Sequence, residues 1–147
     1  MAEGFARRYG SDVLDPVSAG LAPAAIIQPL TKKVMAAKNI SLDDVSPKHV
    51  LTVDLNDFDL IINISGQQFP LGAPVEIREW KIEDPIGRSE ETYIAVRDQI
   101  EMLVMHLILE LRRAASKEQG NLAGHPMPRR AKRSAEPLPV AEGETPK

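Results

Sequence analysis

Phe58-Asp59-Leu60-Ile61-Ile62-Asn63-Ile64 is the stretch that settles the fold class. Its apolar run is too short for a helix and is rich in β-branched residues. Turn-forming pairs bound it, Asn56-Asp57 before and Ser65-Gly66 after, so a strand is predicted. The near-continuous apolarity predicts burial on both faces, the signature of a parallel strand covered by helices. An α/β architecture follows.

Toward the C-terminus, Pro74 to Ile82 alternates Val75 and Ile77, then Trp80 and Ile82, predicting a second strand with a shift of phase near Arg78 and Glu79. After the loop Glu83-Asp84-Pro85-Ile86-Gly87 comes the most regular pattern in the chain. From Glu90 to Arg113, Tyr93, Val96, Ile100, Leu103, Val104, Leu107, Ile108 and Leu111 recur every three to four residues. Ser89 is a natural N-cap. Glu90 and Glu91 near the start, and Arg112 and Arg113 near the end, complement the helix dipole by about 0.3 to 1 kcal/mol each.

Toward the N-terminus, Ser46-Pro47 predicts the start of a short helix with Val50 and Leu51 inward. Pro29 to Lys38 reads as a helix with proline in its first turn and Asn39 as a left-handed stop. Val13 to Leu21 predicts an edge strand, because Pro16 has no N–H to give to a ladder. Ala2 to Tyr9 is a short helix stopped by Gly10. Strand and helix alternate, so the expected fold is a three-layer, doubly wound parallel α/β sheet. No internal repeat competes with that reading.

The chain has 147 residues, 43% of them apolar, enough for one domain with a real core. The ordered domain is expected over residues 1–116. Residues 117–147, rich in Pro, Ala and charge, are expected to be a disordered tail. The domain holds 12 basic and 17 acidic side chains and the tail 6 and 4, so neither part is basic enough to imply nucleic acid as a partner. The absence of cysteine removes disulfides, thiolate metal sites and thiol nucleophiles. His49, His106 and His125 are scattered, so neither metal nor cofactor is expected. No apolar run reaches the roughly 20 residues of a membrane span, and a cytoplasmic location is the expectation.

Several segments in order resemble the low-molecular-weight protein-tyrosine phosphatases, and more closely the thioredoxin-coupled arsenate reductases that share their fold. They are Met1-Ala2-Glu3-Gly4-Phe5-Ala6, Ser18-Ala19-Gly20-Leu21, Asp59-Leu60-Ile61-Ile62, Trp80 through Asp84-Pro85, and Val96-Arg97-Asp98-Gln99-Ile100. The likeness runs from Met1 to about Arg113. In that family a strand delivers a loop of the form Cys, five residues, Arg, Ser, which cradles an oxyanion at a helix N-terminus. Met1 falls just after the place of that loop. The resemblance therefore implies a chain given without the first family strand, the nucleophile and the oxyanion-binding Arg, with a start recorded too late.

The resemblance further implies thiolate attack on phosphorus or arsenic, with Asp84 as the general acid that protonates the leaving oxygen. Pro85 keeps Asp84 out of helical geometry and would aim its carboxyl at the loop. Ser65 and Phe69 stand about where the two resolving cysteines of the arsenate reductases would fall, so an internal thiol relay is not expected. The implied partners are a phosphate or arsenate oxyanion, or a phosphotyrosine-type substrate, if the N-terminus is restored; as given, the chain is expected to be inactive. The alternative is a non-catalytic interaction or oxyanion-binding module on the same scaffold.

Other candidates have plainer readings. Arg97 and Asp98 could support the acid loop or form a solvated pair. Trp80 could line a groove or fill core, and His106 sits at a core edge. The cluster Arg129, Arg130, Lys132 and Arg133 belongs to a solvated tail. In the family the first strand lies inside the sheet, so its loss would leave a slot. Up to about ten backbone groups would lack partners, at about 1 to 3 kcal/mol for each that stays buried. Marginal stability, a rearranged sheet, or self-association through the open slot is expected.

Overall fold

A computed structural model of the protein describes residues 1–122. Helix α1 spans Ala2–Gly10 and helix α2 Pro29–Ala36, with Pro29 at its first turn. Asn39 closes the second with φ 58, the left-handed stop read from the sequence. Helix α3 begins at Glu90, where the Ser89 hydroxyl accepts from the Thr92 N–H at 3.4 Å.

The three helices share one core. Val96, Ile100, Val104 and Ile108 stand on one face of α3, four residues apart, and meet Phe5 and Ala6 of α1 and Met35 of α2. Ile40 and Leu42 complete the cluster. Phe5, Met35 and Ile108 are sealed from solvent, each burial stabilising by about 1.5 to 3 kcal/mol. Polar clasps brace the seams: Arg112 grips the Asp12 carboxylate with two bonds of 2.8 Å, and Tyr9 and Lys38 both donate to Glu101.

Strand β1 is Leu60–Asn63 and strand β2 Glu76–Glu79. They pair in parallel, Leu60 against Glu76 through Asn63 against Glu79. The result is an α/β fold with a small parallel sheet, in which, among the described residues, β1 has a strand partner on one edge alone.

Four sequence expectations need correction. Val13–Leu21 is not a strand; only Gly20 is bridged, in parallel to His49. The backbone groups that would form a ladder are diverted: Pro16 has no N–H, and the Ser18 N–H donates to the Glu3 carboxylate. β1 is not fully buried, since Leu60, Ile61 and Ile62 are half-exposed and border a cavity. The segment after Ser46-Pro47 forms short 3-10 turns at Val50–Thr52 and Leu55–Asp57, pinned by the His49 and Asp54 side chains, which accept from Leu51 and Asn56 N–H. Finally, α3 continues past Arg113 to Leu122, so residues 117–122 are helical and not tail. The remainder of the expected tail, with its basic cluster, lies outside the described residues. Among the described residues no helix is long and apolar enough to cross a membrane.

Candidate functional site

Beside the unpaired edge of β1 lies a cavity of about 480 Å³. Ala2, Ala6, Val104 and Leu107 line it from the helices, Val50, Val53 and Leu55 from the turns, Leu60 through Asn63 from the strand, Ile64 and Ser65 from the loop after it, and Leu14 through Leu21 from the segment after α1. Its walls are mainly apolar. Ser65 and Phe69, the two positions compared with resolving thiols, both line it, and so does Trp80.

Two buried polar side chains fix the rim. Glu3, 8% exposed, accepts from the Ser18 N–H at 3.1 Å and from the Ser18 hydroxyl, and pairs with Arg7 at 2.7 Å. That carboxylate is neutralised by a guanidinium and tied to a turn, so it is an anchor between α1 and the segment after it. Asn63, 5% exposed, sits at the end of β1. Its amide nitrogen donates to the Gln67 carbonyl at 2.7 Å and to the Glu79 carboxylate at 2.9 Å, and its oxygen accepts from the Ser65 N–H and hydroxyl. One side chain thus shapes the loop after β1 and ties it to β2. Neither anchor was legible in the sequence. For Asn63 the available signal was its place between an apolar strand and Ser65-Gly66, where Asn commonly organises a turn.

Asp84 lies apart from the cavity, exposed on the loop between β2 and α3. Its Oδ1 accepts from the Ile86 N–H at 3.0 Å, an Asx turn that continues through Arg88 N–H to the Pro85 carbonyl. Gly87, at φ 76, supplies the left-handed residue that completes the loop. The loop is tethered to α3 by Gln99, whose Nε2 donates to the Lys81 carbonyl at 3.0 Å. Arg97 takes no part in this. It is buried, donates to the Val34 carbonyl at 3.0 Å, and holds α2 against α3. His106 is exposed. Among the described residues no group of three or more His, Cys, Asp or Glu is placed to hold a metal ion.

Away from the loop, Arg78 of β2 clasps Glu110 of α3 through bonds of 3.0 and 2.8 Å, which hold the Glu110 carboxyl below its usual pKa. Chemically, the cavity offers hydroxyls and apolar walls. The chain contains no thiol to act as nucleophile; the Ser65 hydroxyl donates to the Asn63 amide oxygen, which is no base, and the Ser18 hydroxyl to a Glu3 carboxylate already paired with Arg7.

Residues 1–117 match the family described as low molecular weight phosphotyrosine protein phosphatase. The chain is 30% identical over 115 residues to a glutaredoxin arsenate reductase of Synechocystis sp., covering 76% of this chain and 87% of that protein. An arsenate reductase in the reduced state superposes with a TM-score of 0.68 at 28% identity, over 75% of this chain and 86% of the other. An arsenate reductase in its phosphate-binding state matches with a TM-score of 0.66 at 26% identity, over the same shares of the two chains. With sequence, order of elements and shape in agreement, the chain belongs to the low molecular weight phosphotyrosine protein phosphatase family.

Proposed function

We propose that these 147 residues form a low molecular weight phosphatase or arsenate reductase scaffold that does not itself perform the family's thiolate chemistry. The observation that carries this reading is the absence of any cysteine, joined to the character of the cavity, where Ser65 and Phe69 present a hydroxyl and a phenyl ring. A hydroxyl without a neighbouring base is not a nucleophile near neutral pH, whereas a thiolate is. The fold in this reading is a doubly wound sheet lacking one interior strand, and the domain closes with α3. Phosphate or arsenate is the matching ligand class, supported by the relative observed in a phosphate-binding state.

Asp84 is assigned the role of general acid on the strength of the family likeness. Among the described residues the Asp84 Oδ1 accepts from the Ile86 N–H and Oδ2 has no hydrogen-bond partner. Once a thiolate and oxyanion cradle stand opposite, that carboxyl would protonate a departing oxygen.

The test is hydrolysis of p-nitrophenyl phosphate by the purified chain. No turnover above background is expected, and Asp84→Ala should change nothing. Turnover that disappears on Asp84→Ala would overturn the inactive reading. In a version extended with a strand and a Cys, five-residue, Arg, Ser loop, Asp84→Asn should slow turnover by about 10² to 10⁴. An unchanged rate there would remove Asp84 from its role.

A further inference from the structure

We infer that the outward face of α3 is a self-association surface, on which a second copy of this chain packs its own α3 in the antiparallel direction. The inference goes beyond the proposed function and makes no use of the cavity. With about 3.6 residues per turn, Asp98, Met102, Leu109 and Arg113 share one side of the helix, opposite the stripe Val96, Ile100, Val104 and Ile108 that faces the core. Met102 is 52% and Leu109 43% exposed, two large apolar side chains on a helix whose other side already fills the core. Beside them His106, Leu109, Arg113 and Lys117 line a shallow groove.

Charge decides the occupant. The N-terminal half of this face is acidic, through Glu91 and Asp98, and the C-terminal half basic, through Arg113 and Lys117; Glu110 beside them is spent on Arg78. Asp98 pairs with Arg97 and keeps half of its side chain in water, while Arg113 is exposed and, among the described residues, in no ion pair. A face acidic at one end and basic at the other complements a copy of itself turned end for end. A two-fold axis between Met105 and His106 sets Met102 against Leu109 of the second copy, and Asp98 against Arg113 of the second copy, and each contact occurs twice. A parallel copy would set Asp98 on Asp98 and Arg113 on Arg113 and would align the two helix dipoles. At about 1.5 Å per residue, Asp98 to Arg113 covers about 22 Å, well within a helix of 33 residues. Apolar pairs flanked by two ion pairs make a small contact, so the dimer is weak and reversible.

The test is sedimentation velocity of the full chain from micromolar to millimolar concentration, where a monomer should give way to a dimer. Leu109→Lys, at an exposed position, should raise the dissociation constant at least tenfold while the circular dichroism of the chain is retained. Asp98→Lys and Arg113→Glu, with circular dichroism likewise retained, should each do the same alone, since each brings like charges together twice. Mixed in equal amounts, those two variants should form a heterodimer at least tenfold tighter than either forms with itself, because each altered side chain then meets its opposite charge. A chain that stays monomeric throughout overturns the inference. So does a dimer unmoved by Leu109→Lys, which would place the contact elsewhere, and so does a mixture no tighter than its separate components.

Discussion

The helical half and the sheet half of this molecule differ in completeness. In the first, α1, α2 and α3 close around Phe5, Met35 and Ile108, and Val96, Ile100, Val104 and Ile108 of α3 pack into that shared core. In the second, β1 pairs with β2 alone among the described residues, its apolar residues are partly exposed, and a cavity lies beside it. A helix satisfies its own backbone hydrogen bonds and needs only packing, whereas a strand takes its bonds from other strands. A helical core can therefore be closed while a strand beside it keeps an open edge.

The largest test of this contrast is in the core. Ile108→Ala, at a sealed site, should cost about 3 kcal/mol in urea unfolding. A loss below about 1 kcal/mol would mean that the helical core is looser than described. Asn63→Ala should cost about 2 kcal/mol, because Gln67, Glu79 and Ser65 lose a shared partner. Faster amide exchange in residues 65–67 should accompany it, and unchanged exchange there would deny Asn63 its shaping role. Ile62→Ala, beside the cavity, should cost about 1 kcal/mol, since that side chain is only partly buried. If Ile62→Ala matched Ile108→Ala, the contrast between the halves would fail.

The smallest effect is one of pH. Arg112 holds the Asp12 carboxyl, and Arg78 the Glu110 carboxyl, below the usual carboxylate range. A folded pKa below the unfolded one contributes stability above the unfolded value, lost as pH falls through the folded value. The melting temperature should therefore fall in acid, below about pH 4. Arg112→Gln should flatten that fall by releasing α1 from α3, and Arg78→Gln by releasing β2 from α3. Since Asp12 and Glu110 are exposed and Arg78 and Arg112 partly so, each change should be slight and should shrink further with added salt.

What the sequence revealed follows the same division. The face of α3 was legible because its period is local, as were Pro29 at the start of α2 and Asn39 at its end. The end of α3 was not, because Ala114, Ala115, Lys117 and Glu118 favour helix without carrying an apolar stripe. The apolar run at Leu60–Asn63 announced a strand, and its partner at Glu76–Glu79 was found, but burial on both faces depends on what lies alongside. Val13–Leu21 misled for the same reason: its apolar residues suit a strand, yet Glu3 takes the Ser18 N–H from fifteen residues away.

The candidate site divides in the same way. Ser65, Phe69 and Trp80 were singled out from the sequence and gather around one cavity, while Asp84 stands outside it. The anchors Glu3, Asn63 and Gln99 were missed. Each looks like an ordinary polar residue until its partners, distant in sequence, are brought to it.

Amide hydrogen exchange on the free, monomeric chain tests the contrast most directly. Amides in the core-facing turns of α3 should exchange slowest. Ile61 and Asn63, bonded toward β2, should be protected at least tenfold more than Leu60 and Ile62, whose backbone groups alternate away from it. Equal protection at all four residues of β1 would contradict an open edge and, with it, the contrast between the two halves.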